Sequence, residues 1–161
     1  MKYRKLRLDE LEVLEKEFIA FLASNQVTAD EWQTFKKLDP EKADGLIGLF
    51  SDMVFDQTLD QVEYLEYKEP HDIKTFHCLE DKLVMMGMIV EGETSIDFTK
   101  EQTAEEMMAS LQQAGGRLKL YRAEKTYKRE RKAELFRMME SGCKISPDGY
   151  MFKMLDGLKS K

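Results

Sequence analysis

Apolar residues recur along this chain with two periods, and the change of period divides it. From Asp9 to Ser24, Leu11, Leu14, Phe18, Phe21 and Leu22 fall at the three-and-four spacing of one helical face. Glu10, Glu12, Glu15 and Glu17 crowd its first half, where carboxylates suit the helix dipole. A second helix starts at Thr28 and ends near Lys37. Thr28 and Glu31 have the spacing of a capping box, and Val27 and Trp32 that of a hydrophobic staple. A third follows at once, capped by Asp39 with Pro40 in its first turn. Its buried stripe is Ala43, Leu46, Ile47, Phe50, Met53 and Val54, with Gly45 and Gly48 set for close packing.

From Gln61 the period shifts toward two. The pattern predicts strands over Val62 to Lys68, Ile73 to Leu79 and Lys82 to Val90, with Glu69-Pro70 and Glu80-Asp81 as breaks. Leu83 to Val90 is apolar on both alternating faces, which suits a central strand covered on both sides. Thr99 and Gln102 have the spacing of a second capping box, and Gly115-Gly116 ends the helix they open. Arg117 to Ala123 reads as a strand with an oily face (Leu118, Leu120) and a basic one (Arg117, Lys119). A helix from about Tyr127 to Ser141 stops at Gly142, and a last one follows the cap Ser146 and Pro147. The expectation is one α+β domain over residues 1–161. It has three N-terminal helices, a small, largely antiparallel sheet of about four strands, and C-terminal helices.

Charge adds what periodicity does not show. The chain has 161 residues, 42% hydrophobic and 35% charged, with a net charge of −6. Residues 1–116 hold 12 Lys/Arg against 25 Asp/Glu, net −13, whereas 117–161 hold 13 against 6, net +7. An acidic body therefore carries a basic C-terminal segment. The excess lies in Arg117, Lys119, Arg122, Lys125, Lys128, Arg129, Arg131 and Lys132, with Tyr121 and Tyr127 among them. Cations neutralise phosphates and aromatics stack on unpaired bases, so one reading is contact with RNA or DNA. A second is an acidic protein partner. A third is that the stretch lies against the protein's own acidic helices or forms a solvated face.

Other candidate chemistry is thin. Asp44, Asp52, Asp56 and Asp60 lie at multiples of four on one helical ridge, a pattern that suits a hard cation or, more simply, a solvated face. His77 and Cys78 are neighbours in a strand, so they point to opposite faces and form no dyad. His71-Asp72 has the composition of an acid/base pair, although capping by Asp72 is the simpler reading. Cys78 and Cys143 read as reduced thiols, and two Cys with two His at these spacings make no zinc site. Eleven methionines fall mostly at core spacing. Met138-Met139 and Met151/Met154 also fit a groove for a partner helix. No P-loop, dinucleotide-binding, GxSxG or HExxH pattern occurs. The longest apolar run, Leu83 to Val90, is too short to span a bilayer, and the basic N-terminus leads into no apolar signal core.

Met1 to Arg4, residues 17–32 (EFIAFLASNQVTADEW), Phe50-Ser51-Asp52 and residues 62–66 (VEYLE) together resemble a small uncharacterised family of Bacteroidetes bacteria, a domain of unknown function. The resemblance spans most of the chain and implies a bacterial cytoplasmic protein, with no functional residues to carry over.

The functional expectation is a non-enzymatic cytoplasmic interaction or adaptor protein without cofactor or metal. Its basic strand-helix segment contacts the acidic surface of an unidentified protein or nucleic-acid assembly. The alternatives are an enzyme with a metal or acid/base site, using His71, Asp72 or the Asp52/Asp56/Asp60 ridge with a metal, and a homo-oligomer joined through the last two helices.

Overall fold

Residues 1–113 and 115–159 are described by a computed structural model. They fall into two units, Met1–Asp60 and Gln61–Lys161. The boundary lies where the apolar period changes, not where the charge changes sign.

The first unit is helical: α1 (Leu8–Val13), α2 (Glu15–Ser24), α3 (Ala29–Leu38) and α4 (Pro40–Gln61, whose last residue belongs to the second unit). The single helix expected over Asp9 to Ser24 breaks at Leu14, with φ −100° and ψ 24°. The Leu14 amide is shared between the carbonyls of Glu10 (3.2 Å) and Leu11 (3.1 Å), a local tightening that ends the first segment. The caps are where the sequence put them. Glu31 N donates to Thr28 Oγ1 at 3.1 Å, and Lys42 N to Asp39 Oδ1 at 3.3 Å. Four rings then form the core. Phe18 lies 5.1 Å from Trp32 edge-on and 5.0 Å from Phe50, and Phe21 lies 5.4 Å from Phe50. Met53, expected inside, is exposed, whereas Ser51 is buried because its hydroxyl accepts from Leu6 N and donates to Ile47 O. A Cβ at Gly45 would meet nothing within 4 Å, so close packing does not explain that glycine.

The second unit is built on an antiparallel sheet. Its elements are β1 (Tyr64–Glu69), β2 (Asp72–Cys78), β3 (Lys82–Glu91), α5 (Ala104–Gln113), β4 (Arg117–Thr126), α6 (Arg131–Glu140), β5 (Lys144–Ile145) and α7 (Tyr150–Lys159). The sheet order is β4-β3-β2-β1-β5, every pair antiparallel. The class is α+β. The fifth strand, two residues paired with Leu65 and Glu66, was not expected. β3 is interior and buried on both faces, as its unbroken apolar run required.

Register assigns every side chain to a face. Ile73, Val84, Met86, Met88 and Val90 share one face with Tyr64 and His77, and α7 covers it with Met151, Phe152 and Leu155. Met151 therefore belongs to the core and not to a partner groove. Thr75 sits in this core without penalty because its hydroxyl donates to Met86 O at 2.7 Å. Leu65, Tyr67, Lys74, Phe76, Met85, Tyr121, Ala123 and Lys125 share the opposite face, where α6 lies.

Three helix starts differ from expectation. The helix placed at Thr99 begins at Ala104, because Asp97 engages the Thr99 hydroxyl and Thr103 caps instead, accepting from Glu106 N at 3.0 Å. The helix placed at Tyr127 begins at Arg131, since Tyr127 to Glu130 turn the corner from β4. The last helix, placed after the cap Ser146 with Pro147 in its first turn, begins only at Tyr150, and Ser146 Oγ instead accepts from Gly149 N at 3.2 Å in the turn before it. Among the described residues, no helix is long and apolar enough to cross a membrane.

Candidate functional site

The basic segment does not form one patch. β4 sends alternate residues to opposite faces, so Arg122 lies on the α7 side, while Arg117, Lys119, Tyr121 and Lys125 lie on the α6 side. Their partners then sort the cations.

Arg131 is a structural clamp. Its Nε donates to Leu79 O at 3.1 Å, and its Nη2 donates to Cys78 O at 3.1 Å and to Val62 O. It thereby ties the start of α6 to the ends of two other segments. Arg117 meets Glu91 at 3.5 Å, Arg122 meets Glu124 at 2.6 Å, and Lys125 meets Glu134 at 3.6 Å. Lys132 is half-buried at the first turn of α6. The side chains of Lys119, Lys128 and Arg129 make no ion pair or hydrogen bond among the described residues, and neither does that of Arg137, which the sequence reading left out.

The two tyrosines are also engaged. Tyr121 Oη donates to Asp72 Oδ1 at 2.6 Å, and Tyr127 Oη to Leu79 O at 2.7 Å. The Tyr121 ring lies over Gly87 so closely that a Cβ there would sit 2.0 Å from its Cζ. Burial, then the bond to Asp72, pushes the Tyr121 hydroxyl up to about 12. The Tyr121 ring is thus not free for a base to stack on, and the Tyr127 hydroxyl is committed to the backbone. Asp72, expected as a cap, instead accepts from Tyr121 and from Lys74 Nζ, the latter at 2.6 Å.

What the segment does build is one wall of a cleft of 810 Å³ between the sheet and α6. Its floor includes Tyr67, Phe76, Leu83, Met85 and Ala123, neighbours on one face by register, and Met138 adds the helix side. Around this floor stand Lys74, Lys125, Lys128, Arg129 and Arg137, against Glu69, Glu124 and Glu134. The size suits a small ligand or a few side chains of a peptide.

Glu134 organises the rim. Its carboxylate accepts from the backbone N–H groups of Lys128 and Arg129, the second at 3.3 Å, and pairs with Lys125. Burial would raise its pKa, but the two amides and the ammonium outweigh burial and hold it below the usual carboxylate range. The Lys128-Arg129 corner is thus pinned by its backbone while both side chains remain unpaired. Cys143 lines the same cleft as a free thiol whose pKa burial raises, the wrong direction for a nucleophile.

His71, Asp72, His77, Cys78 and the aspartates of α4 are not among the residues that line this cleft. In the first unit, Asp52 and Asp56 hold the N-terminal segment: Lys2 N donates to Asp52 at 2.9 Å, and Tyr3 Oη to Asp56 at 2.6 Å. Asp44 meets Lys5 at 3.5 Å. His77 is stacked on Tyr64 at 4.5 Å in the α7-side core, while Cys78 is buried on the other face and pushed up to about 12 by that burial. His71 lies in the β1–β2 turn, where its carbonyl accepts from Val90 N. Among the described residues, no three His, Cys, Asp or Glu gather as metal ligands.

A model for a family of unknown function (DUF6495) matches residues 1–160. The chain belongs to that family. No curated protein and no solved structure matches it. In this member of DUF6495, the cleft beside α6 sets the unpaired Lys128, Arg129 and Arg137 next to an apolar floor.

Proposed function

We propose that this protein is a non-enzymatic interaction module, acting in the cytoplasm of a Bacteroidetes bacterium, whose basic cleft holds an acidic segment of a partner protein. One observation carries the reading: Lys128, Arg129 and Arg137 stand without partners around the apolar floor of Tyr67, Phe76, Met85 and Met138. Unpaired cations attract carboxylates and steer their approach, and the apolar floor gains by burying an aliphatic or aromatic side chain. A segment that mixes acidic and apolar residues satisfies both. Nucleic acid fits less well. Tyr121 and Tyr127 are committed through their hydroxyls, and Glu69, Glu124 and Glu134 interrupt the positive rim where phosphates would lie.

The test is a titration of the ¹⁵N-labelled chain with a blocked acidic peptide in which Glu and Asp flank single Phe and Leu residues. A parallel titration uses an oligothymidylate of equal length. The peptide is expected to shift the resonances of Phe76, Met85, Arg129, Arg137 and Met138, and the oligonucleotide to bind at least about tenfold more weakly at physiological salt. Stronger binding of the oligonucleotide, with a steep salt slope, would transfer the site to nucleic acid. No shift at the cleft with either probe would remove the reading.

A further inference from the structure

β4 ends the sheet. It pairs with β3 along its whole length, from Arg117 opposite Glu91 to Thr126 opposite Lys82, and no described strand lies on its other side. Its ten residues are mostly exposed and contain neither proline nor glycine. Such an edge offers a row of unpaired N–H and C=O groups to any strand that can approach. Charge decides which strand can. β4 carries four cations and one carboxylate: Glu124 is engaged by Lys82 at 3.2 Å and Arg122 at 2.6 Å, Arg117 and Lys125 meet Glu91 and Glu134 at 3.5 and 3.6 Å, and Lys119 has no partner among the described residues. A second copy of β4 laid alongside would set like charges against each other, which is unfavourable for cross-strand neighbours. An acidic strand meets the opposite sign.

We propose that the outer edge of β4 receives an extended acidic segment of the partner as a sixth strand. The proposal rests on the reading of an acidic protein partner, and it specifies that partner's conformation and pattern. Side chains of an added strand alternate between faces. On the α6 side they meet Arg117, Lys119 and Lys125, so acidic residues belong there. On the other side they meet Leu118, which is 48% exposed, and Leu120, so apolar residues belong there, and further along they pass the mutually paired Arg122 and Glu124. Edge and cleft are continuous, because Ala123 and Lys125 belong to β4 and also line the cleft. A segment running along β4 on this register passes the cleft mouth.

The probe is a blocked ten-residue peptide of alternating Glu and Val, added to the full ¹⁵N-labelled chain. Two further versions carry N-methyl groups on alternate residues, one in each frame. The readouts are amide exchange rates along β4 and peptide affinity. At saturation, the β4 amides that face outward are expected to exchange at least about tenfold more slowly. Only one strand edge of the peptide faces β4, so one N-methyl frame should lose at least about tenfold in affinity while the other keeps it. Lys119→Glu should weaken the parent peptide about threefold or more. The proposal is overturned if both frames bind as well as the parent. It is also overturned if the peptide shifts Arg129 and Arg137 without protecting β4, in which case the cleft reading stands alone. Absence of binding at both places would overturn the edge and the acidic-partner reading together.

Discussion

Arg131 and Arg129 are two residues apart and identical in chemistry, yet their surroundings give them opposite roles. Arg131 satisfies three backbone carbonyls, those of Val62, Cys78 and Leu79, whereas the Arg129 guanidinium has no partner. Truncating the first removes the guanidinium from the Val62 and Cys78 carbonyls, while Leu79 O keeps its bond from Tyr127, so Arg131→Met should destabilise the fold by about 3 kcal/mol. Arg129→Met, on an exposed side chain, should stay within about 0.5 kcal/mol. Urea unfolding of the two variants measures the difference. Nothing in the sequence separates them, because the carbonyls that claim Arg131 lie some 50 to 70 positions earlier in the chain. The same holds for Tyr121. It reads as a base-stacking ring among cations, until register sets it over Gly87 and beside Asp72.

At the scale of elements, local chemistry was legible where one signal stood alone. Thr28 with Glu31 and Asp39 with Pro40 open helices where the sequence places them, and the unbroken run after Leu83 forms an interior strand covered on both faces. Two competing signals were not legible. Thr99 with Gln102 and Thr103 with Glu106 have the same spacing, and only the neighbouring Asp97 decides between them by engaging Thr99. Thr103→Ala should therefore destabilise α5 by about 1 kcal/mol. Faster amide exchange confined to the first turn of that helix would show it. β5 escaped for another reason. Two residues carry no period, and Lys144-Ile145 becomes a strand only because the β1 edge is there to pair with.

For the whole molecule, the division by charge and the division by structure differ. Met1–Asp60 holds 8 Lys/Arg against 13 Asp/Glu, net −5, and residues 61–161 hold 17 against 18, net −1. The basic segment is thus balanced in sum inside its own unit, in part through Glu91, which meets Arg117. Balance in sum is not balance in place. Among the described residues, Lys119 on β4, with Lys128, Arg129 and Arg137 beside the cleft, stays unpaired, and those four lie where the proposed partner would bind. Sequence reading found three of them within its basic stretch and missed Arg137, which lies further along α6 and reaches the cleft through the helix.

The most direct test of this account is calorimetric titration of the acidic Glu/Asp–Phe–Leu peptide into the native chain and into the Arg129→Glu/Arg137→Glu variant. Both substituted positions are exposed, and equal unfolding midpoints would establish that the variant is folded. Reversing the two charges is expected to cost at least about tenfold in affinity, or about 1.4 kcal/mol. Equal affinity of the native chain and the variant would contradict the acidic-partner reading.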